Sequence, residues 1–555
     1  MQLLTRTNIC NTITNYQSKK ILFGFYVATI LISYYFLVSS GKSYTVIWFN
    51  DTMALLDATY RVTLGQIPGT DFYSSIGPIN FYLSAVGLKL GFDPSVIFAI
   101  EGILVLLIIF SAGLLVMYSR FSLLMILLPC IFIWLLITVP LGSGQDANNF
   151  SWGMFYNRHG WAGLFFILLL YIEPRKITKV SKWIDSSMLA ILVLFELYCK
   201  ITYGLVGLAF IFANMLVSKY NRSVSIISLL IIALSILIIH LAIDIHNGYL
   251  DSILRAINSR GAIRGNIYSV INTIIEHSHI IIAVLLAMVY SATLGCNKLL
   301  NWLFVIGSTI VCIILLDQNG DIKGIPSIIA VFLVLAELIR RNNLSSTENN
   351  EAIKGFNGAE PICIVIIMAI ILIQPTVNRL YSLYTYKIKT TSEMPLTGTP
   401  EKITNFLVPI PSGRNLFTNL VAENDLSPDL LSNIRASASD QILSSYEYLI
   451  TINDGHRLLN EDMTQKEKVF VLDIANPFIF TLELPLQNPG YPFLFSWPSE
   501  TVDSIFDDTT YIMEPRLPFK SSLSVSYKTE YTNYLHKNYR NITSSIYWNL
   551  WIKKL

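Results

Sequence analysis

Eleven apolar runs, each long enough to cross a bilayer or close to it, fill most of the first 375 residues and leave few ways to fold. They lie at roughly 20–40, 95–118, 122–141, 160–174, 186–199, 202–217, 223–243, 278–294, 300–316, 325–340 and 361–375. About 20 apolar residues span the hydrocarbon layer, and shorter runs do so when packed inside a bundle. In lipid the backbone must satisfy its own polar groups, so runs of this kind are helices. Hydrophobic residues make up 53% of the 555 and charged residues only 14%, with a mean hydropathy of +0.53. That excludes a soluble protein of this length. The expectation is a mainly α polytopic membrane protein.

Lys and Arg in the short loops give the orientation. With the N-terminus inside, the inner loops carry Lys19/Lys20, Arg120, Arg175/Lys176/Lys179/Lys182, Lys219/Arg222, Lys298 and Arg340/Arg341/Lys354. Counting 79–92 as a span would turn Arg175–Lys182 outward, so that stretch reads as a helix lying on the outer surface. Lys19-Lys20 precede an apolar run with no convincing small-residue cleavage site, which reads as an uncleaved anchor. The membrane body is then 1–375, with outer loops 42–94, 142–159, 244–277 and 317–324, and the tail 376–555 is an outer domain. Apolar runs at Val469–Asp473 and Phe478–Leu484 read as β-rich, and 427–451 as helix-like, so the tail is expected to be a small α/β domain. Net charge is +2 and no basic tract is long enough for a nucleic-acid partner. Of six cysteines none follows Cys363, so the outer tail has no disulfide framework. No internal repeat is visible.

Asp51 lies just past the first span, in Trp48-Phe49-Asn50-Asp51, and opens an amphipathic stretch ending in Gly65–Ile79. A carboxylate there suits a base acting on a membrane-borne substrate; taken by itself, it better suits an N-cap for the pattern Met53, Leu55, Leu56, Ala58, Val62. Tyr156-Asn157-Arg158-His159 stands directly before a span. The Arg fork matches phosphate oxygens and His can move a proton, although interfacial belts gather the same residues. Glu196 and Lys200 are four apart in an apolar stretch where ionisable groups are rare. Either they pair, or Lys200, at an outer turn, meets a lipid phosphate. Glu101 reads as a buried partner of an arginine or as a second acid near the site. Arg255, Arg260 and Arg264 run against the charge bias of the outer side and would hold an anionic head, or they form a solvated face. Asp317–Asp321 has part of a calcium loop's pattern but no following bidentate Glu. A Walker-type loop, an HExxH and a CxxC pair are all missing from the sequence.

In this setting the first loop resembles that of the C-type (GT-C) glycosyltransferases, polytopic enzymes that take sugars from polyprenyl-phosphate carriers on the outer membrane face. The resemblance is carried by Asn50-Asp51, Gly65-Gln-Ile-Pro68, Asp71-Phe-Tyr73 and Gly77-Pro78. Tyr156-Asn157-Arg158, the Lys200 turn and an outer C-terminal domain support it. It implies that Asp51 is the general base toward an acceptor hydroxyl. It also implies that cations such as Lys200, Arg158 and Arg260 hold the carrier phosphate, and that the partners are a polyprenyl-phosphate-linked sugar and a glycan or glycolipid acceptor. Many members carry two adjacent acids where this chain has Asn50-Asp51, which favours a reaction without a divalent metal and with no other cofactor. A bacterial inner membrane and a role in the cell envelope fit the short loops and the cysteine-free tail. Three other readings compete: a transporter or flippase, an O-antigen polymerase or ligase, and a non-enzymatic assembly factor.

Overall fold

The computed structural model describes residues 2–142, 147–260, 267–293, 298–319, 324–347, 360–410, 443–463, 465–492, 505–506, 508–516 and 523–554. Among them, five helices are long and apolar enough to cross a membrane: Gln17–Val38, Pro94–Tyr118, Lys219–Ile243, Leu299–Gln318 and Ile364–Ser392. The bent pair Tyr268–Glu276 and Ile281–Thr293 makes a sixth if it is one span. Two more expected spans are the shorter apolar helices Leu123–Thr138 and Ile201–Asn214. The remaining three fall on Phe155–Leu169, Lys179–Cys199 and Ile325–Thr347. These are inner helices. Phe155–Leu169 is buried along nearly its whole length, and a helix surrounded by protein needs neither full span length nor an apolar face all round. The outer helices instead expose Leu230, Leu234, Leu285, Leu303 and Ile373, as lipid-facing side chains do. This is the make-up of an integral membrane protein.

Several charges inside this body are paired. Arg120 meets Asp185 at 2.7 Å with both side chains almost fully buried, and Tyr220 donates to the same carboxylate at 2.7 Å. Glu337 is shared by Arg340 and Arg341. Glu101 does not find an arginine: the Ser84 hydroxyl donates to it at 2.5 Å, and His159 Nδ1 stands 3.6 Å away.

The helix holding residues 361–375 continues to Ser392, and the tail follows. A short seam joins tail to body: strand β1 (Ser43–Tyr44) pairs in parallel with β2 (Phe406–Leu407). Further on, β3 (Val469–Val471), β4 (Tyr511–Pro515), β5 (Tyr539–Ser544) and β6 (Trp548–Lys553) form a sheet in the order β3-β4-β6-β5. Its β3–β4 pair is parallel and its other pairs antiparallel. The helix Ser445–Asp462, started by a Ser444/Glu447 capping box, is fastened to this sheet by Trp548 Nε1 donating to the Thr451 carbonyl at 2.8 Å. The tail is thus mixed helix and sheet, with one correction. Phe478–Leu482 is a helical turn, not a strand. Pro477 occupies its N-cap, the Asn476 side chain accepts from the Phe478 N–H at 3.2 Å, and Glu483 at φ 52° ends it. Start and stop signals outweighed β-branched composition. Of the stretch 427–451, residues 427–442 lie outside the described residues.

Candidate functional site

Three segments meet where the first span ends. β1 lies between the tail and the second outer loop: Thr45 N–H donates to Leu407 at 2.9 Å, and Val46 N–H to Phe150 at 2.8 Å. Trp152 Nε1 fixes the loop by donating to Ser43 Oγ at 2.8 Å. Directly after this seam the helix Phe49–Thr63 begins, and Asp51 stands in its first turn. Its N-cap is Trp48, so Asp51 is not the cap. The helix Phe155–Leu169 opens nearby behind Met154. Trp48 and Met154 both adopt positive φ, 55° and 58°, and neither helix start has a side-chain cap. Such backbone costs of order 1–3 kcal/mol per residue and gathers at functional sites. Gly153 makes the close approach possible: a Cβ there would stand 3.1 Å from Trp48 Cβ and 3.2 Å from Asp51 Cβ.

Asp51 is half-buried and accepts a hydrogen bond from Asn50 Nδ2 at 3.0 Å. Asn50 is itself buried, and its Oδ1 has no hydrogen-bond partner among the described residues. The tail reaches over this point. Ser445 Oγ donates to the Val46 carbonyl at 2.9 Å, and the Tyr448 ring stands 6.2 Å from Phe49, edge to face. Burial pushes the Tyr448 phenol well above its usual range, and the charges of Asp473 and then Asp51 add to the push. Asp473 follows β3, is 4% exposed and accepts from the Ile474 N–H at 2.7 Å.

The second half of the site is a turn. Lys200 lies between the helices Lys179–Cys199 and Ile201–Asn214 with extended backbone. Its ammonium donates to Asn157 Oδ1 at 2.7 Å and lies 5.2 Å from the centre of the Tyr156 ring. Asn157 is fully buried, and its Nδ2 has no partner among the described residues; the Thr202 hydroxyl, two residues past Lys200, is in the same condition. The first loop supports this turn from below. Asn80 Nδ2 donates to the carbonyls of Gly77 and Cys199, both at 2.9 Å, and Gly77 N–H to Cys199 at 3.1 Å.

Tyr156, Asn157 and Lys200 are thus brought together, and the segment 151–157 joins them to Asp51. The other candidates stand elsewhere. Arg158 is 1% exposed and donates to the carbonyls of Val139 at 3.1 Å and Ser151 at 3.4 Å, holding the loop in place. His159 is buried beneath it, edge to face with Phe155 at 4.5 Å. The expected Glu196–Lys200 pair does not form: among the described residues neither Glu196 oxygen has a hydrogen-bond partner, and its carboxylate packs on Gly163. Arg255 lies on the helix His246–Arg260, pairs with Asp251 at 2.7 Å and stacks 4.1 Å from the Tyr73 ring. Arg260 ends that helix, with its side chain outside the described residues, as is all of Arg264.

Sequence reading passed over Asn80, Thr202, Tyr448 and Asp473. Only Asp473 carried a signal, an acid closing an apolar strand, where α/β sheets place ligands. Among the described residues no group of three or more His, Cys, Asp or Glu side chains could hold a metal ion.

No family model matches the chain, and no curated protein does. Among solved structures it is similar to ArnT from Cupriavidus metallidurans bound to undecaprenyl phosphate. Identity there is 11% over 95% of this chain and 98% of that one, with a TM-score of 0.43. It is also similar to the Archaeoglobus fulgidus oligosaccharyltransferase complex with zinc and sulfate, at 11% identity, 74% and 56% coverage and a TM-score of 0.31. At these scores neither likeness establishes a shared fold.

Proposed function

We propose that the protein is a membrane glycosyltransferase that moves a sugar from a polyprenyl-phosphate carrier to an acceptor hydroxyl. The observation that carries this reading is the juxtaposition of a half-buried carboxylate with a lysine turn across the segment 151–157, at the end of the helix bundle. Asp51 accepts the acceptor's proton as its oxygen attacks the anomeric carbon. The bond from that carbon to the carrier phosphate breaks, and the phosphate leaves with the electron pair. A phosphate is a weak base, so departure needs charge stabilisation more than a proton. The Lys200 ammonium supplies it, with Asn157 Nδ2 and the Thr202 hydroxyl as buried donors to phosphate oxygens. Tyr448 and Asp473 close the site from the tail side and exclude water from Asp51. The tail domain then lies on the outer face with the site.

The test supplies labelled polyprenyl-phosphate sugars to membranes holding the native protein or Asp51→Asn in equal folded amounts. Loss of transfer with carrier binding kept supports the assignment; unchanged turnover sinks it. The transporter reading keeps one specific observation, the buried Glu196 carboxyl, which has no hydrogen-bond partner among the described residues, since such groups mark ion or substrate paths. If the carrier crosses vesicle membranes uncleaved, and Glu196→Gln stops this while Asp51→Asn does not, that reading replaces the first.

A further inference from the structure

At the opposite end of the bundle from Asp51 lies a cavity of about 520 Å³. It is walled by the start of the first span, by the turn between helices Ser111–Tyr118 and Leu123–Thr138, and by the segment 174–181. Its charged lining residues are Lys19, Arg175 and Lys176, and Ser119, Ser122 and Ser181 add hydroxyls. Among the described residues no carboxylate lines it. The acids nearby in the chain are engaged elsewhere: Asp185 by Arg120 and Tyr220, Glu337 by Arg340 and Arg341, and Glu173 by the Ser218 hydroxyl.

The elements that build the cavity fix this chemistry. Arg175 is held at its rim because its Nε donates to the Arg120 carbonyl at 3.0 Å and its N–H to Ser119 at 2.9 Å. Ser181 is the third residue of the helix Lys179–Cys199, locked by a capping box with Thr178. The positive end of that 21-residue helix dipole therefore adds to the three cations. The floor is apolar, with Leu22, Phe121 and Ile126. Phe23, Leu124, Val180 and Trp183, each one or two positions in the chain from a lining residue, are 58% exposed or more, the make-up of a lipid-facing rim with an interfacial aromatic.

We propose that this cavity binds the phosphate-bearing headgroup of an anionic phospholipid, whose acyl chains lie along the exposed apolar side chains at its mouth. Three cations in a lining without a carboxylate, hydroxyl donors and exposed apolar neighbours together fit a lipid phosphate; a free phosphate would leave those apolar side chains without a role. The site is separate from the one built on Asp51.

The test is native mass spectrometry of the full chain released from detergent with phosphatidylglycerol or phosphatidylcholine, comparing the native protein with three variants. Phosphatidylglycerol should be retained in preference to phosphatidylcholine. That preference should fall on the order of tenfold in Lys19→Gln/Lys176→Gln and survive in Lys19→Arg/Lys176→Arg. It should also survive in Lys182→Gln/Lys219→Gln, which removes two charges from the same end outside the cavity. An equal loss in this last variant would mean diffuse attraction and overturn the site. Displacement of the lipid by inorganic phosphate in the millimolar range would overturn the lipid assignment.

Discussion

Asp51 occupies a position where a structural and a chemical role differ in size. An acid in the first turn of a helix contributes about 0.3–1 kcal/mol through the helix dipole, whereas a general base contributes about a hundred- to ten-thousand-fold in rate. Asp51→Asn should therefore leave thermal stability nearly unchanged while transfer falls by at least about a hundredfold; comparable losses in both would make Asp51 a helix residue only. Lys200→Gln removes the ammonium but can keep a bond to Asn157 Oδ1. It should weaken carrier binding by the value of a charge-assisted hydrogen bond, about 1.5–3 kcal/mol, seen as a raised KM for the carrier at a constant KM for the acceptor. Sequence spacing offered two roles for Lys200, pairing with Glu196 or facing a phosphate. The helix break at Lys200 separates the two side chains, which i,i+4 spacing on one continuous helix would have kept together. Asp51, Tyr156, Asn157 and Lys200 were all legible as polar residues at span ends. Tyr448 and Asp473 were not, because they come from a segment far along the chain from Asp51.

At the scale of elements, the first loop works as a spacer whose fit depends on absent side chains and one buried ion pair. A Cβ on Gly77 would lie 2.0 Å from the Tyr198 carbonyl oxygen and 2.5 Å from that of Cys199. Backbone on that side cannot step away, so Gly77→Ala should cost about 1–3 kcal/mol and displace the Lys200 turn, lowering both melting temperature and carrier affinity. Arg61, 1% exposed, meets Asp57 at 3.2 Å and donates to Gln66 Oε1 at 3.2 Å and to the Gln487 carbonyl at 3.3 Å, so it fastens the tail to the loop. Burial holds the Asp57 carboxyl above its usual range even with Arg61 beside it. Arg61→Ala leaves that carboxyl buried and uncompensated, at a cost of about 3–5 kcal/mol near neutral pH. The folded state then holds a proton that the unfolded state releases, so stability falls as pH rises above the unfolded value. The variant should thus be more stable near pH 5 than near pH 8, by about the loss of one buried charge, in thermal melts at the two values. Helix positions in the body followed the apolar runs closely. The turn Phe478–Leu482 did not follow its composition, because Pro477 and the Asn476 side chain start a helix where the residue types alone suggested a strand.

For the whole molecule, the charge bias of the loops predicts that Lys176 and Lys466 lie on opposite sides of the membrane. In a chain freed of native cysteines, Lys466→Cys should react with a membrane-impermeant maleimide from the outer face and Lys176→Cys only from the inner face. The reverse pattern would invert the protein and place the tail inside. Composition and apolar periodicity were enough to determine the helical membrane body and the approximate ends of its helices, since lipid permits almost no other satisfaction of the backbone. They also showed which polar residues sit at those ends, because an ionisable group is costly anywhere deeper. Tertiary structure alone decided which of these residues meet. Arg158 and His159 adjoin Asn157 in the chain, yet the turn of the helix directs them into packing around Val139, Ser151 and Phe155, while Asn157 faces Lys200. The contact of Tyr448 with Phe49, two residues before Asp51, joins segments far apart in sequence, as does the β1–β2 seam beside it. Local pattern carries no information about such a contact, whose free energy arises only when distant segments dock.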